Sequence, residues 1–431
     1  MDYWKRLASR VLPYIYSCIF ITYIPIVYIT KVKKSLKNKH YRNRWAERLG
    51  VTHLRLKDCI WIHSVSVGET LAAEPLVKKL MKEFPNERFV ITTTTPTGSD
   101  AVLRLYKGCD NLYHMYIPYD VKPFINSFFV KLNPKMLVIV ETEIWPNILC
   151  KCFTENIPVV VTNARLSKRS MTRYSKIPLS KEFFFNLLAH VSAQTDVDAE
   201  RYRKLGVLEE NVSVTGNIKY NMIVPKDLQE STQELVNNIQ NRPIWVAGST
   251  HEGEEDIILR AHKKILEIKP DCLLILVPRH KERFNKVSRL ISDYNLEYKR
   301  RSDAGNSLSD STQVYLGDTM GELMRMYYVS DITFVGGSAV SHGGHNLLEP
   351  ASLAKPIISG KNLKNFIEIA DSLTKNDALE IATTSSEIAD KVIEIFDNPV
   401  MLKKLSENSI KTFKSNEHVL DLQYQEIAKL L

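Results

Sequence analysis

A lone acid, Glu69, stands in the stretch WIHSVSVGET (residues 61–70). There an apolar run gives way, through Ser64, Ser66 and Gly68, to the next element. A carboxylate at such a junction has two uses. It caps the first turn of a helix, or it stands at the mouth of a cleft and takes the proton of a hydroxyl nucleophile. A second chemical stretch is VGGSAVSHGGHNLLEP (335–350). Gly336 and Gly337 end an apolar run, and Gly343 and Gly344 lead into a helix expected to begin near Asn346. Such glycines let backbone N–H groups approach a phosphate, and a helix N-terminus adds its dipole. Glu349, one turn further, is placed to accept hydrogen bonds from ribose hydroxyls. In LVPRHKERF (276–284), Pro278 is followed by Arg279, His280, Lys281 and Arg283, a basic turn suited to a phosphate or a sugar carboxylate, a plain solvated turn being the other reading. In GDTMGEL (317–323), Thr319, Met320 and Gly321 precede a helix with Glu322 in its first turn; simple capping by Asp318 or Thr319 is the other reading. The glycine loop lacks both GxGxxG and GxxxxGK[ST], which points away from dinucleotide oxidoreductases and P-loop NTPases.

For metals, HEGEE (251–255) offers His251, Glu252, Glu254 and Glu255. It is not HExxH, and no second histidine lies at ligand spacing along the chain. His342 and His345 read as polar loop residues. The expectation is chemistry without a metal or other cofactor, with cationic side chains and helix dipoles stabilising a leaving phosphate.

These residues need elements to hold them. Apolar, β-branched runs at 58–63, 88–94, 136–141, 157–162, 190–194 and 212–215, then at 243–248, 273–277, 313–316, 331–335 and 356–359, alternate with helical patterns such as 71–84, 99–107 and 196–205. The runs lack period-2 alternation, as expected of parallel strands buried on both faces. This is an α/β rhythm of two Rossmann-like, doubly wound domains facing a cleft, with functional loops at the carboxyl ends of the strands. Glu69 and the loops named above all follow such runs. The predicted organisation is a membrane anchor over 1–30 and a basic juxtamembrane segment over 31–50. A first Rossmann-like domain then covers 51–216, a polar connection 217–242, and a second Rossmann-like domain 243–431.

With 431 residues, 44% hydrophobic and 25% charged, the chain is globular and long enough for two cores. Its net charge of +9 is local: residues 31–50 carry eight lysines and arginines against Glu47. No basic-aromatic interleaving marks a nucleic-acid surface. Residues 11–30 are free of charge for about the length of a bilayer core, and the basic cluster comes directly after them. A membrane-spanning or inserted anchor is expected, an in-plane helix or a buried soluble helix being the alternatives. The positive-inside rule places the basic cluster and the two domains beyond it in the cytoplasm. The six cysteines contain no CxxC pair and read as ordinary thiols of a reducing compartment.

Taken in order, WIHSVSVGET, TTTTPTGSD, YIPYD, ETEIWPN, NARLS, QTDVDAERYRKLG, TGNIKY, AGSTHEGEE, LVPRHKERF, GDTMGEL and FVGGSAVSHGGHNLLEP resemble the 3-deoxy-D-manno-octulosonic acid (Kdo) transferases of lipopolysaccharide synthesis. The resemblance implies a GT-B glycosyltransferase, inverting and metal-free. It would move one or more Kdo residues from CMP-Kdo to a lipid A precursor (lipid IVA) at the cytoplasmic face of the inner membrane. By the same resemblance Glu69 is the general base. CMP contacts fall on Pro278 and Arg279, on Met320, Gly321 and Glu322, and on Asn346, Leu347, Leu348 and Glu349. Leu347 departs from the proline the family often carries there. A sugar-nucleotide epimerase of the same fold, or a non-enzymatic membrane lipid-binding protein, are the other readings; the first turns over a UDP-sugar without an acceptor, and the second releases no CMP.

Overall fold

The computed structural model describes residues 44–177, 180–221, 224–225, 227–239, 242–304 and 307–431, together with residues 14, 16–18 and 21–22. The chain divides into two compact units, Met1–Asn221 with His418–Leu431, and Met222–Glu417.

The first unit is built on seven parallel strands: β1 (Cys59–His63), β2 (Arg88–Thr93), β3 (Leu112–Tyr116), β4 (Pro134–Val140), β5 (Val159–Ala164), β6 (His190–Ala193) and β7 (Val212–Val214). Their order is β3-β2-β1-β4-β5-β6-β7. Central strands such as CIWIH and VVVTNA are buried at every position because helices cover both faces. Trp61, Phe128 and Phe129 lie in one core layer, and Ile60, Leu76 and Val138 in the other. The second unit repeats the plan with β8 (Ile244–Thr250), β9 (Leu273–Pro278), β10 (Tyr298–Arg300), β11 (Val314–Leu316), β12 (Ile332–Val335), β13 (Ile357–Ser359) and β14 (Leu379–Ile381). Their order is β10-β11-β9-β8-β12-β13-β14. All pairings in both sheets are parallel.

β3, β10 and β14 go beyond the strands expected from the sequence. All three are sheet edges. An edge strand is covered less completely, so LYHMY, YKR and LEI mix polar with apolar residues and lack the continuous run of a central strand.

Two domain boundaries move. The sequence pattern assigns the C-terminal residues to the second domain, but the helix Val419–Ala428 packs on the first sheet through Val419 and Ile427. Its buried Gln423 accepts a hydrogen bond from Thr162 Oγ1 at 2.7 Å. The polar connection 217–242 contains the helix Leu228–Ile239. Its buried residues Leu228, Thr232, Leu235 and Ile239 recur at helical spacing, and the last two join the second unit's core. The polar majority of the segment masks that stripe.

The basic segment also ends inside the fold. Residues Trp45–Leu49 form a 3-10 helix. Arg48 is buried, its guanidinium 4.1 Å from the Tyr116 ring centroid and donating to the Thr94 carbonyl at 2.9 Å. Arg44 donates to the His114 carbonyl at 2.6 Å. These two cations are committed to the protein rather than to lipid. Residues 31–43 and most of the expected anchor lie outside the described residues. No helix among the described residues is long and apolar enough to cross a membrane. Within that stretch, Ser17 is buried and its hydroxyl oxygen accepts from the Lys122 N–H and the Asn147 side chain, both at 3.0 Å.

Candidate functional site

Glu69 is the third residue of the helix Val67–Glu83, which starts at the carboxyl end of β1. Ser66 is the N-cap, and its hydroxyl accepts from the Glu69 N–H at 3.4 Å. The Glu69 carboxylate reaches back, accepting from the Val65 N–H at 2.6 Å and the Ser66 hydroxyl at 3.1 Å. This is a capping-box arrangement shifted by one residue. The acid therefore does cap the helix, and in doing so it is locked in one orientation with lone pairs to spare. Capping and proton transfer are compatible uses of the same group.

Its surroundings are only partly visible in the sequence. Burial raises the Glu69 pKa and the negative Glu141 adds to this, while the Val65 N–H, Ser66 and Lys219 oppose it. Glu141 pairs with Lys219 at 3.7 Å. Glu143 is pushed up to about 7, first by burial and then by the charge of Glu69. So three carboxylates and one lysine are electrostatically coupled around the end of β1. Glu141 leaves β4 in the left-handed region, φ 64°, and its N–H is held by the Thr162 carbonyl at 3.0 Å. Lys219 sits on the short helix Ile218–Tyr220, whose first N–H donates to Asn163 Oδ1 at 3.0 Å. Asn163 is itself left-handed at the end of β5, φ 50°. The sequence puts ETEIWPN after a strand and NIKY in a motif but gives no role to Glu141, Glu143 or Lys219. Their position after strand ends is the available signal.

In the second unit the expected donor-site residues lie on loops that follow β9, β11 and β12. Pro278 closes β9 and Arg279 is exposed beyond it, its N–H bound to the Thr250 carbonyl at 3.0 Å. Met320 is exposed and Gly321, with φ 85°, has open space where a Cβ would lie. Glu322 is held by Arg301 through two hydrogen bonds at 2.9 and 3.0 Å, and by Arg325 at 3.2 Å. The Arg301 guanidinium beside it holds its pKa down to about 2. Glu322 is thus a permanent anion that fixes its loop. Asn346 Oδ1 accepts from the Leu348 N–H at 3.1 Å, and its amide donates to Glu349 at 3.5 Å. Burial raises the Glu349 pKa, and Asn346 and Arg279 oppose that. Arg279 and Glu349 therefore feel one another, which joins the first and third loops. Leu347 and Leu348 are fully buried, so only their backbone faces solvent chemistry.

The glycine loop differs from expectation in two ways. The helix expected near Asn346 runs only Leu348–Ser352, too short for much dipole. The amides after Gly336 are already taken. Buried Glu254 accepts from the N–H groups of Gly337 at 2.7 Å, Ser338 at 3.1 Å, Ala339 at 2.9 Å and His251 at 3.2 Å. A protein carboxylate occupies the place expected of a phosphate. HEGEE also proves to have a histidine partner in space: His251 Nε2 lies 2.7 Å from His345 Nε2. Among the described residues, no three His, Cys, Asp or Glu are arranged to hold a metal ion.

A family model for 3-deoxy-D-manno-octulosonic-acid transferase (kdotransferase) matches residues 43–222. The 3-deoxy-D-manno-octulosonic acid transferase of Haemophilus influenzae is 40% identical over 392 residues, 90% of this chain and 91% of that protein. The chain belongs to the Kdo transferase family. It is accordingly a glycosyltransferase enzyme. The Bordetella pertussis transferase is 30% identical over 358 residues, 81% of this chain and 82% of the relative. In overall fold, the UDP-GlcNAc 2-epimerase of Neisseria meningitidis bound to UDP-GlcNAc superposes with a TM-score of 0.58 at 17% identity, over 86% of this chain and 99% of that one. A glycosyltransferase from Rickettsia africae gives 0.52 at 15% identity, over 87% and 97%. Those two likenesses are of fold alone.

Proposed function

We propose that this Kdo transferase is of the GT-B type and moves one or more Kdo residues from CMP-Kdo to a lipid A precursor (lipid IVA) in lipopolysaccharide biosynthesis. It would work at the cytoplasmic face of the inner membrane, with residues 1–30 as the anchor. The observation that carries the reading is Glu69: a carboxylate fixed at a helix start by two donors, with its pKa raised by burial and by Glu141. A base poised nearer neutrality takes a proton from a sugar hydroxyl more effectively at cellular pH.

In this reading the acceptor hydroxyl attacks the anomeric carbon from the face opposite the phosphate. The new C–O bond forms as the bond to the phosphate oxygen breaks, so the centre inverts. The hydroxyl proton passes to the Glu69 carboxylate. CMP departs with the bonding electrons, its phosphate gaining one negative charge. Pro278, Arg279, Met320, Gly321, Glu322, Asn346, Leu347, Leu348 and Glu349 are assigned to the nucleotide, Leu347 and Leu348 through backbone only. No metal or cofactor is assigned a role. Incubation of the purified protein with CMP-Kdo and tetra-acylated lipid A precursor, followed by mass spectrometry of the lipid, tests the reading. Mass increments of one or more Kdo units support it and count the residues added. Free CMP without a lipid product, or no reaction, overturns it.

A further inference from the structure

Four histidines converge at the carboxyl ends of adjacent strands in the second unit. His251 follows β8, His280 follows β9, and His342 and His345 follow β12. His251 stacks on His342 at 3.9 Å between ring centroids and 18° between planes. It lies parallel to His345 at 5.0 Å and 4°, and edge-on to His280 at 5.3 Å. The loop is shaped for them. Gly337 has φ 71°, and a Cβ there would lie 2.9 Å from the His345 ring.

Charged groups reach the cluster from each element packed against it. Arg279 faces His345, and Arg283 faces His251. The neighbouring acids are already engaged: Glu252 by Lys286, Glu254 by four backbone N–H groups, Glu255 by Arg283, and Glu349 by Asn346. Among the described residues, no carboxylate lies within ion-pair distance of any of the four rings. Burial and mutual repulsion accordingly hold His251 and His345 down at about 4. His251 and His345 are therefore neutral at pH 7, and Arg279 and Arg283 line the cluster. An anion entering it would be met by imidazole N–H donors and would stabilise an added proton.

We propose that His251, His280, His342 and His345 form an anion subsite that binds the phosphate of the cytidine nucleotide and takes up a proton as it does so. The inference rests on the CMP-Kdo reading above and adds a chemical reason for the cluster. Transfer converts a singly charged phosphodiester into a doubly charged monoester. An imidazolium formed beside that phosphate matches the charge that develops on it.

Proton uptake is measurable without turnover. The full-length protein is titrated with CMP by calorimetry, between pH 6 and 8.5, in buffers of low and high ionisation enthalpy. At pH 7.5 and above, where CMP is already a dianion, the expected result is uptake of about one proton per CMP. Affinity then rises about tenfold for each pH unit lowered. Cytidine and free Kdo should bind, if at all, without that uptake, which separates the phosphate from the base and from a sugar carboxylate. The His251→Gln/His345→Gln variant should lose the pH slope and bind CMP more weakly than wild type, by a margin that widens as the pH is lowered. The exposed His280→Gln removes only the edge-on ring beside His251 and should reduce the slope, and far-ultraviolet circular dichroism confirms that both variants fold. CMP binding with no proton uptake, or uptake unchanged in the double variant, overturns the subsite and leaves the donor reading standing. Absence of CMP binding overturns both.

Discussion

Glu69→Gln and Glu69→Ala separate the two uses of one carboxylate. In the Gln variant the amide oxygen still accepts the Val65 N–H, made at 2.6 Å in the wild type, and Ser66 still caps the N–H at position 69. Its folding stability should stay within about 1 kcal/mol of wild type, since only the Ser66 hydroxyl contact changes character. The amide cannot take a proton. If Glu69 is the base, transfer should fall by about 10²–10⁴, equivalent to roughly 3–5 kcal/mol of barrier. The Ala variant loses the same rate and also leaves the half-buried Val65 N–H without its acceptor, which costs about 1–3 kcal/mol. The assay is initial rate of Kdo transfer, with urea unfolding followed on the same preparations. Turnover of the Gln variant within a few-fold of wild type, alongside a destabilised Ala variant, would leave Glu69 as a cap only.

The charges around Glu69 should tune the acid limb of the rate in opposite senses. Glu141→Gln removes the anion that raises the Glu69 pKa, so the limb of kcat/KM should move to lower pH; Lys219→Met removes an opposing cation, so it should move to higher pH. Shifts of the same sign would refute the coupling. Gly337→Ala places a side chain in the left-handed region against His345, and should destabilise the second unit by about 1–3 kcal/mol, read from its unfolding midpoint. His63 and His262 are fully buried and held at about 4 by burial. Their folded-state values lie below the unfolded one, so the unfolded chain binds more protons and stability falls as pH drops from about 6.5 toward 4. At pH 5 each should cost about 2 kcal/mol. His262→Gln should flatten that fall in an acid titration followed by tryptophan fluorescence.

The central strands are legible because a strand buried on both faces is mostly apolar along its whole length, as LLILVP is. The edge strands β3, β10 and β14 are not, because an edge needs no such run. Glu69 stands out because an acid and a glycine after a buried strand need a reason. Its partners Glu141, Glu143 and Lys219 do not, since their meaning depends on which strands are neighbours. β1 and β4 are adjacent, so residues far apart in sequence surround one carboxylate.

The sequence by itself determined the α/β alternation, the placement of chemistry after strand ends and the family, all set by local pattern and by motifs in order. Only the tertiary structure decided that Glu254 fills the glycine-loop amides, that Arg48 is buried in the first unit, and that the last helix returns to the first sheet. It also brought four histidines together, two of them ninety-four positions apart. Each of these is a question of which groups satisfy one another across the fold. Spacing along the chain does not carry that information, because strand order and not sequence order sets the distances.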